Sequence, residues 1–433
     1  MIVLAAGILA ALAWYFSEPI VFTNDSFGYL NAAKYIAGLP AQNVPYYRMP
    51  LYPLFLAATG VIYDTFFWFV LAQIALGILM VMIFHDGLRA YSRPAALIAT
   101  AVFTFTFVPF VYSKSIMTEQ LYLFGLILCL SSTLRYFLSP SLGHLVLIAG
   151  AIVIMMLTRV QGILIGFVVL PFMLYTRPDR WRSILGAAII VTALVAAYAA
   201  TYSGAVRKRT EYASSPAFSL SNSVGKYLFM VPYLDAERYF GWKVVKRENG
   251  QASAKLFELV GDAPADLSRW WSIWQTLDKK IGIAAADDLL MRVTIEAAAA
   301  HPFKVGILYA HNLVAALYRI DSPYVWQHPL VTIGNEQLDR ELRGSGDQSS
   351  VTWLARVVNP LFHFSLLMSV ILVLVTLGPH GRAWAFCLAL YLYNLVSIAA
   401  SGAPEGRLVF YGLPLLLAAL TNARAQPWLV RMS

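Results

Sequence analysis

Charge is what this sequence has least of. Of its 433 residues only 13% are Asp, Glu, Lys or Arg, against 59% hydrophobic, and the mean hydropathy is +0.65. Soluble domains carry about 25% charged residues, so an ordinary water-soluble globule is excluded. Cysteine is scarce as well. Cys129 and Cys387 each fall inside an apolar run, which excludes a disulfide framework or a metal pair and leaves two small core- or lipid-facing residues. There are no clustered Cys/His zinc ligands, no His-Glu-x-x-His, no phosphate-binding glycine loop and no dinucleotide fingerprint. Internal repeats and low-complexity tracts are missing too. The first basic residue is Lys34, so residues 1–16 lack the basic start of a signal peptide and are expected to form a retained first helix.

What is present is a series of apolar runs long enough to cross a bilayer. They fall at 1–16, 66–84, 94–112, 119–138, 143–157, 162–176, 183–203, 353–377, 383–400 and 408–423, which predicts an all-α polytopic membrane protein with ten crossings. The net charge of +9 is dispersed along the chain, mostly at the ends of these runs, which fits a cationic membrane protein better than a nucleic-acid binder. Arg89, Arg93, Arg135, Arg177, Arg180, Arg182, Arg382, Arg424 and Arg431 all project to one side. By the positive-inside rule that side is cytoplasmic, and the first loop, 17–65, faces outward.

Two stretches test this map. Residues 143–176 are almost continuously apolar, yet Arg135 and Arg177 belong on the same side, so the run must go out and back, turning at TRVQG (158–162). Each arm then has about 15 residues, or roughly 22 Å of helix, short of the ~30 Å hydrocarbon core. The turn and its Arg159 are therefore expected to sit below the outer surface, inside protein or a polar cavity. Residues 301–320 would make an eleventh crossing, but that would turn Arg382, Arg424 and Arg431 outward. Lys304, His311 and Arg319 form one polar stripe, so this segment reads as an amphipathic helix on the outer interface.

Residues 204–300 are the one clearly water-soluble stretch, nearly neutral with thirteen Lys/Arg against eleven Asp/Glu, and so not a polyanion-binding surface. Trp270, Trp271 and Trp274 within it fit a small core, an aromatic anchor in the headgroups or a sugar-stacking platform, the first two being favoured. The expected organisation is a transmembrane module over 1–203, a periplasmic region over 204–352, and C-terminal transmembrane helices over 353–433.

Five charges from distant parts of the chain project to the outer boundary: Asp25, Arg48, Glu119, Arg159 and Arg407. Each has an ordinary structural reading. The acids could cap helices, and the arginines could snorkel to the headgroups, although a sunken turn is a poor place for an anchor. Together, two acids and three arginines in one layer suit a reaction on a lipid phosphate. Arginine pairs with phosphate through planar double hydrogen bonds at any relevant pH and stabilises charge developing on a phosphate leaving group. A carboxylate beside a hydroxyl can act as general base, and because phosphate departs without protonation, one carboxylate can suffice where hydrolytic glycosidases use two.

An ordered set of short motifs carries a resemblance: TNDSFGYLNAAKYIAG (23–38), YRMPLYPLFLA (47–57), MTEQLYLFGL (117–126), LTRVQG (157–162), EAAAAHPFKVGILYAHNL (296–313) and EGRLVFYGLPLLLAAL (405–420). In that order they resemble the GT-C glycosyltransferases that use polyprenyl-phosphate sugars, and are most similar to bacterial relatives of protein mannosyltransferases and of the lipid A aminoarabinose transferase. The resemblance implies a GT-C-type bundle in a bacterial inner membrane, with interfacial helices in the first outer loop and the active site facing the periplasm. It implies a polyprenyl-phosphate sugar donor and transfer of the sugar to an acceptor hydroxyl with inversion. It maps the catalytic acids onto Asp25 and Glu119, with Asp25 as base and Glu119 orienting an arginine or the acceptor. Arg48, Arg159 and Arg407 would hold the donor phosphate. Many relatives carry a second acid directly after the first, whereas here Ser26 follows Asp25, which argues against a two-carboxylate metal site. No cofactor is called for on these grounds, and a divalent cation stays open. Sugar and acceptor (lipid, glycan or protein) are not legible. Two rival readings use the same charges: a flippase or transporter of a lipid-linked sugar, and a polysaccharide polymerase or ligase. The absence of repeated halves and the gathering of charge at the outer boundary favour the transferase over a transporter.

Overall fold

The computed structural model describes residues 2–17, 24–41, 49–63, 66–159, 162, 165–210, 245–261, 270–307, 310, 382–400, 413–415 and 417–418, and the statements below concern these residues. They are helices and connecting turns, without β-strand. Two compact units divide them: 2–196, 382–394 and 413–418 belong to the first, and 197–310 with 395–400 to the second.

The first unit opens with α1 (Ile2–Ser17), α2 (Asn24–Ile36) and the short α3 (Leu51–Ala58). Two helical hairpins follow, α4 (Phe66–Arg89) with α5 (Arg93–Phe105) and α6 (Glu119–Leu138) with α7 (Leu142–Thr158), and then α8 (Gly166–Thr176) and α9 (Trp181–Thr210). The turns of both hairpins are written locally. Ser92 caps α5, accepting from the Ala95 N–H with Pro94 in the first turn, and Ser141 caps α7, accepting from the His144 N–H at 3.2 Å. Helix α6 stops at Leu138, just before Ser139–Pro140, where the residue ahead of a proline is driven out of the helical region.

The two turns are pinned together at the end expected to face the cytoplasm. Asp86 receives Arg89 and Arg135 at 2.6 Å each, Arg135 also donates to the Asp86 carbonyl, and the Tyr91 hydroxyl donates to the Leu134 carbonyl at 2.7 Å.

Burial in this unit is inside out. Helix α6 lies among α4, α7 and α8 and is buried along most of its length although it carries Glu119, Gln120, Ser131, Ser132 and Thr133. Outward-facing side chains are apolar instead: Phe67 and Leu71 on α4, Ile98 on α5, Val146 on α7, Phe167 on α8, Ile190 on α9. Polar groups inside and large apolar groups outside suit a hydrocarbon surround, where helix association rests on packing and hydrogen bonds rather than on expulsion of water. Phe66–Arg89 and Glu119–Leu138 are long and apolar enough to cross a membrane, and Ile2–Ala13, Arg93–Phe105, Leu142–Thr158, Gly166–Thr176 and Ala385–Val396 are shorter apolar helices. Cys129 and Cys387 are buried and not joined in a disulfide.

One expected crossing is shorter than its apolar run. The helix within 94–112 ends at Phe105, a span of about 20 Å. The Thr106 hydroxyl folds back onto the Val102 carbonyl at 2.8 Å, and Phe107 takes a left-handed conformation with φ 57°. The remainder of the run is irregular backbone with Val108, Phe110, Val111 and Tyr112 buried. Hydropathy reports burial, and here it could not separate a lipid-facing helix from a packed turn. The expected crossings 353–377 and 408–423 lie outside the described residues, apart from 413–415 and 417–418, which are helical.

In the second unit, α10 (Gln251–Val260), α11 (Trp270–Ile281) and α12 (Ile283–Ala300) pack on one another. Trp270, Trp271 and Trp274 fall in the first turns of α11, and their side chains lie outside the described set. Helix α10 begins at Gly250 without a side-chain cap of its own. Glu296 of α12 supplies one, accepting from the Ala252 and Ser253 N–H groups at 2.9 and 2.8 Å and from the Ser253 hydroxyl at 2.7 Å. Glycine is needed there, since a Cβ at position 250 would fall 2.3 Å from the Glu296 carboxyl carbon.

Burial works against ionisation of Glu296, but the three hydrogen bonds outweigh it and hold the carboxyl below its ordinary value. The sign follows: the contribution is complete above the unfolded value of about 4.3 and is lost as pH falls through the lower folded value. Replacing Glu296 with Ala is expected to cost about 1–2 kcal/mol at neutral pH, as for loss of a helix cap. Melting curves from pH 7 down to 3 should show this difference shrinking in acid. Of the segment 301–320, residues 302–307 are helical, and His311 and Arg319 lie outside the described residues.

Candidate active site at the Glu119 end of the central helices

Residues 119 and 159 stand at equal distances from Ser139, in the turn between α6 and α7. An antiparallel hairpin therefore returns them to the same level, at the end opposite the Asp86 cluster. Glu119 occupies the first turn of α6, where the positive end of the helix favours a carboxylate, and Arg159 follows the last residue of α7, where the negative end favours a cation. An Arg159 Nη1 donates to Glu119 Oε1 at 2.5 Å, with the two side chains 12% and 2% exposed. This is a buried, charge-assisted pair, and the second carboxylate oxygen lies 3.4 Å from the Thr118 hydroxyl.

The turn carrying Arg159 is tight. The Arg159 N–H donates to Met155 O, the Gly162 N–H returns to Arg159 O at 2.9 Å, and Ile165 continues from Gly162 O at 3.2 Å. Thr158 and Gly162 are buried, so irregular backbone and a guanidinium lie within protein at this point.

The first outer loop packs beside this pair. Along α2, Ser26, Tyr29, Ala32 and Ala33 are buried, marking one face of the helix. Tyr29 meets Tyr52 of α3 edge to face with ring centroids 5.1 Å apart. Leu56, Val61, Phe69, Ile116 and Leu121 complete the apolar cluster around them. The eight residues of α3 span about 12 Å, far too little for a crossing, and Pro53 within it and Pro50 just before it fit an interfacial helix. Tyr52 is fully buried, and its hydroxyl is held well above its ordinary pKa, first by burial and then by its neighbours Tyr29 and Glu119. A neutral phenol beside a carboxylate can donate a hydrogen bond but will not compete as an anion.

Two hydroxyls of this loop reach consecutive carbonyls on the segment that runs into Glu119. Ser26 donates to Ile116 O at 3.1 Å, and Tyr52 approaches Ser115 O at 3.5 Å. At the same end Lys114 donates to the Tyr15 carbonyl near the end of α1 and lies over the Tyr15 ring.

Of the five charges expected at the outer boundary, the structure brings together Glu119 and Arg159. Asp25 is the second residue of α2, one helical turn before Tyr29 and therefore at a position on the same face, while its side chain is outside the described set. Arg48 and Arg407 lie outside the described residues. Sequence reasoning missed Ser26, Tyr52 and Lys114. The period of α2 could have found Ser26, but its partner 90 residues away could not be read from any local pattern. Among the described residues no three His, Cys, Asp or Glu side chains gather as a metal-binding group.

The arrangement is a helical bundle whose apolar exterior suits a membrane, with a buried carboxylate–guanidinium pair at the ends of its central helices opposite the Asp86 cluster, packed against the helices of its first loop. No protein-family model and no curated protein matches the sequence. Among solved structures the chain is similar to the crystal structure of ArnT from Cupriavidus metallidurans bound to undecaprenyl phosphate, at 12% identity and a TM-score of 0.41, over 99% of this chain and 78% of that one. An overlap of this quality assigns the chain neither a family nor a residue role.

Proposed function

We propose that this chain is an inverting glycosyltransferase of the bacterial inner membrane, moving a sugar from a polyprenyl-phosphate carrier to an acceptor hydroxyl at the periplasmic face. The observation that carries the reading is the Glu119–Arg159 pair, buried where the central helices end and beside the apolar cluster that seats α2. The ordered motifs of the GT-C resemblance support the same reading.

In this reaction Asp25 takes the acceptor hydroxyl proton, and the resulting oxygen attacks the anomeric carbon from the face opposite the phosphate. The anomeric C–O bond to phosphate breaks, the configuration inverts, and polyprenyl phosphate leaves with the bonding electron pair. Arg48, Arg159 and Arg407 hold the phosphate and offset its growing charge. Glu119 accepts from Arg159 and so fixes the plane of the guanidinium that holds the phosphate.

Asp25→Asn is expected to lower transfer by ~10²–10⁴-fold, the usual worth of a general base, with expression and membrane insertion unchanged. Turnover of a panel of polyprenyl-phosphate sugars by purified, reconstituted protein measures it. Near-wild-type turnover in this variant would remove Asp25 as base, and lipid movement without sugar release would favour a flippase.

A further inference from the structure

Catalysis of this kind requires the base to sit within hydrogen-bonding reach of the acceptor oxygen while the phosphate is held elsewhere. Small displacements matter: an error of 1 Å in such a constellation can cost about 10²-fold. Helix α2 is thirteen residues long and buries Ser26, Tyr29, Ala32 and Ala33. Tyr29 packs edge to face on Tyr52 within the apolar cluster, but apolar burial is non-directional. A directional contact complements that packing.

Ser26 provides one. It is fully buried, next in sequence to Asp25, and its Oγ donates to the Ile116 carbonyl at 3.1 Å, three residues before Glu119. The acceptor belongs to the irregular stretch between α5 and α6, where the carbonyls do not form a continuous helical ladder. The neighbouring carbonyl, Ser115 O, is the one approached by Tyr52 from α3. The two first-loop helices therefore bear on consecutive peptide units, one each, and those units lead directly into the acid that pairs with Arg159. A serine used merely to end a helix would bond locally, to an N–H two or three residues on. This one reaches 90 residues along the chain.

We infer that Ser26 is a positioning residue. Its bond to Ile116 sets the register of α2 on the segment entering α6 and so holds Asp25 at a fixed distance from the Glu119–Arg159 pair. The inference rests on the reading of Asp25 as base. It also accounts for a serine beside the aspartate: here the second position serves backbone docking, not a second carboxylate.

The test compares wild type, Ser26→Ala, Ser26→Thr and Asp25→Asn as full-length protein reconstituted in lipid. Ser26→Ala should lower kcat about tenfold or more with the donor KM within about twofold, because phosphate contacts are intact while the base is displaced. Ser26→Thr keeps the hydroxyl and should recover at least half of the lost rate. Hydrogen–deuterium exchange of residues 24–36 should be about tenfold faster in Ser26→Ala than in wild type, and near wild type in Ser26→Thr. Unchanged exchange in Ser26→Ala overturns the docking role, and faster exchange at undiminished kcat overturns its link to the base. A rise in donor KM with unaltered kcat would also overturn it, making Ser26 a binding residue. Failure of the glycosyltransferase reading looks different: wild type turns over no donor, or Asp25→Asn is fully active. In that case exchange alone decides whether Ser26 holds α2.

Discussion

Glu119→Ala is expected to destabilise the first unit by about 3–5 kcal/mol, the largest effect of any single change considered. The reason lies in what it leaves behind. Arg159 is 12% exposed and cannot shed its charge, so losing the carboxylate strands a guanidinium in a low-dielectric site, the costly half of a broken buried pair. Removing both partners is a different matter. A Glu119→Ala, Arg159→Met double variant leaves no orphaned charge and should recover most of the lost stability, since apolar replacement of a buried pair is often close to neutral. Thermal unfolding in one detergent, run on the two single variants and the double, measures this coupling. A double variant no more stable than Glu119→Ala would show that the pair does not hold this end of the hairpin. Activity should be absent from all three variants, so stability and catalysis separate cleanly in the double.

Gly162→Ala should be nearly as damaging, through geometry rather than charge. A Cβ at this position would lie 2.2 Å from the Met155 carbonyl oxygen, 2.3 Å from its carbonyl carbon and 2.7 Å from the Met156 nitrogen. These are backbone atoms within α7, and none can swing aside as a side-chain tip would. The turn after Thr158 must lift away from the helix end, moving Arg159 with it. Overpacking typically costs about 1–3 kcal/mol, occasionally more, and a clash with helical backbone belongs at the upper end. The same movement lengthens the Arg159–Glu119 contact, so Gly162→Ala should lose activity out of proportion to its loss of stability. Parallel melting and turnover measurements would show it. A variant as stable and as active as wild type would mean that the turn has room to relax.

Much of the framework can be read from the residues. The apolar runs at 66–84 and 119–138 mark, among the described residues, two helices long enough to cross a membrane. The run 143–176 breaks at the TRVQG turn that the charges at its ends called for, with α7 ending at Thr158. The sequence placed Glu119 and Arg159 in one boundary layer, and the structure decided that they pair. The helix stop at Phe105 was not legible, because a buried irregular segment is as apolar as a spanning helix. Hydropathy has no term for a threonine that folds back on its own helix or for a left-handed phenylalanine.

Sequence alone determined the low charge, the apolar runs and the polar residues at their ends, among them Glu119 and Arg159. These depend on periodicity and length, which are local properties. Tertiary structure alone decided which groups touch. That the first-loop serine holds the Ile116 carbonyl, that Tyr52 reaches the Ser115 carbonyl, and that Glu296 caps a helix forty-odd residues earlier are all contacts between segments remote in the chain. No local pattern encodes them, since each depends on how several helices pack at once, and the hydrogen bonds form only after that packing has removed water from both partners.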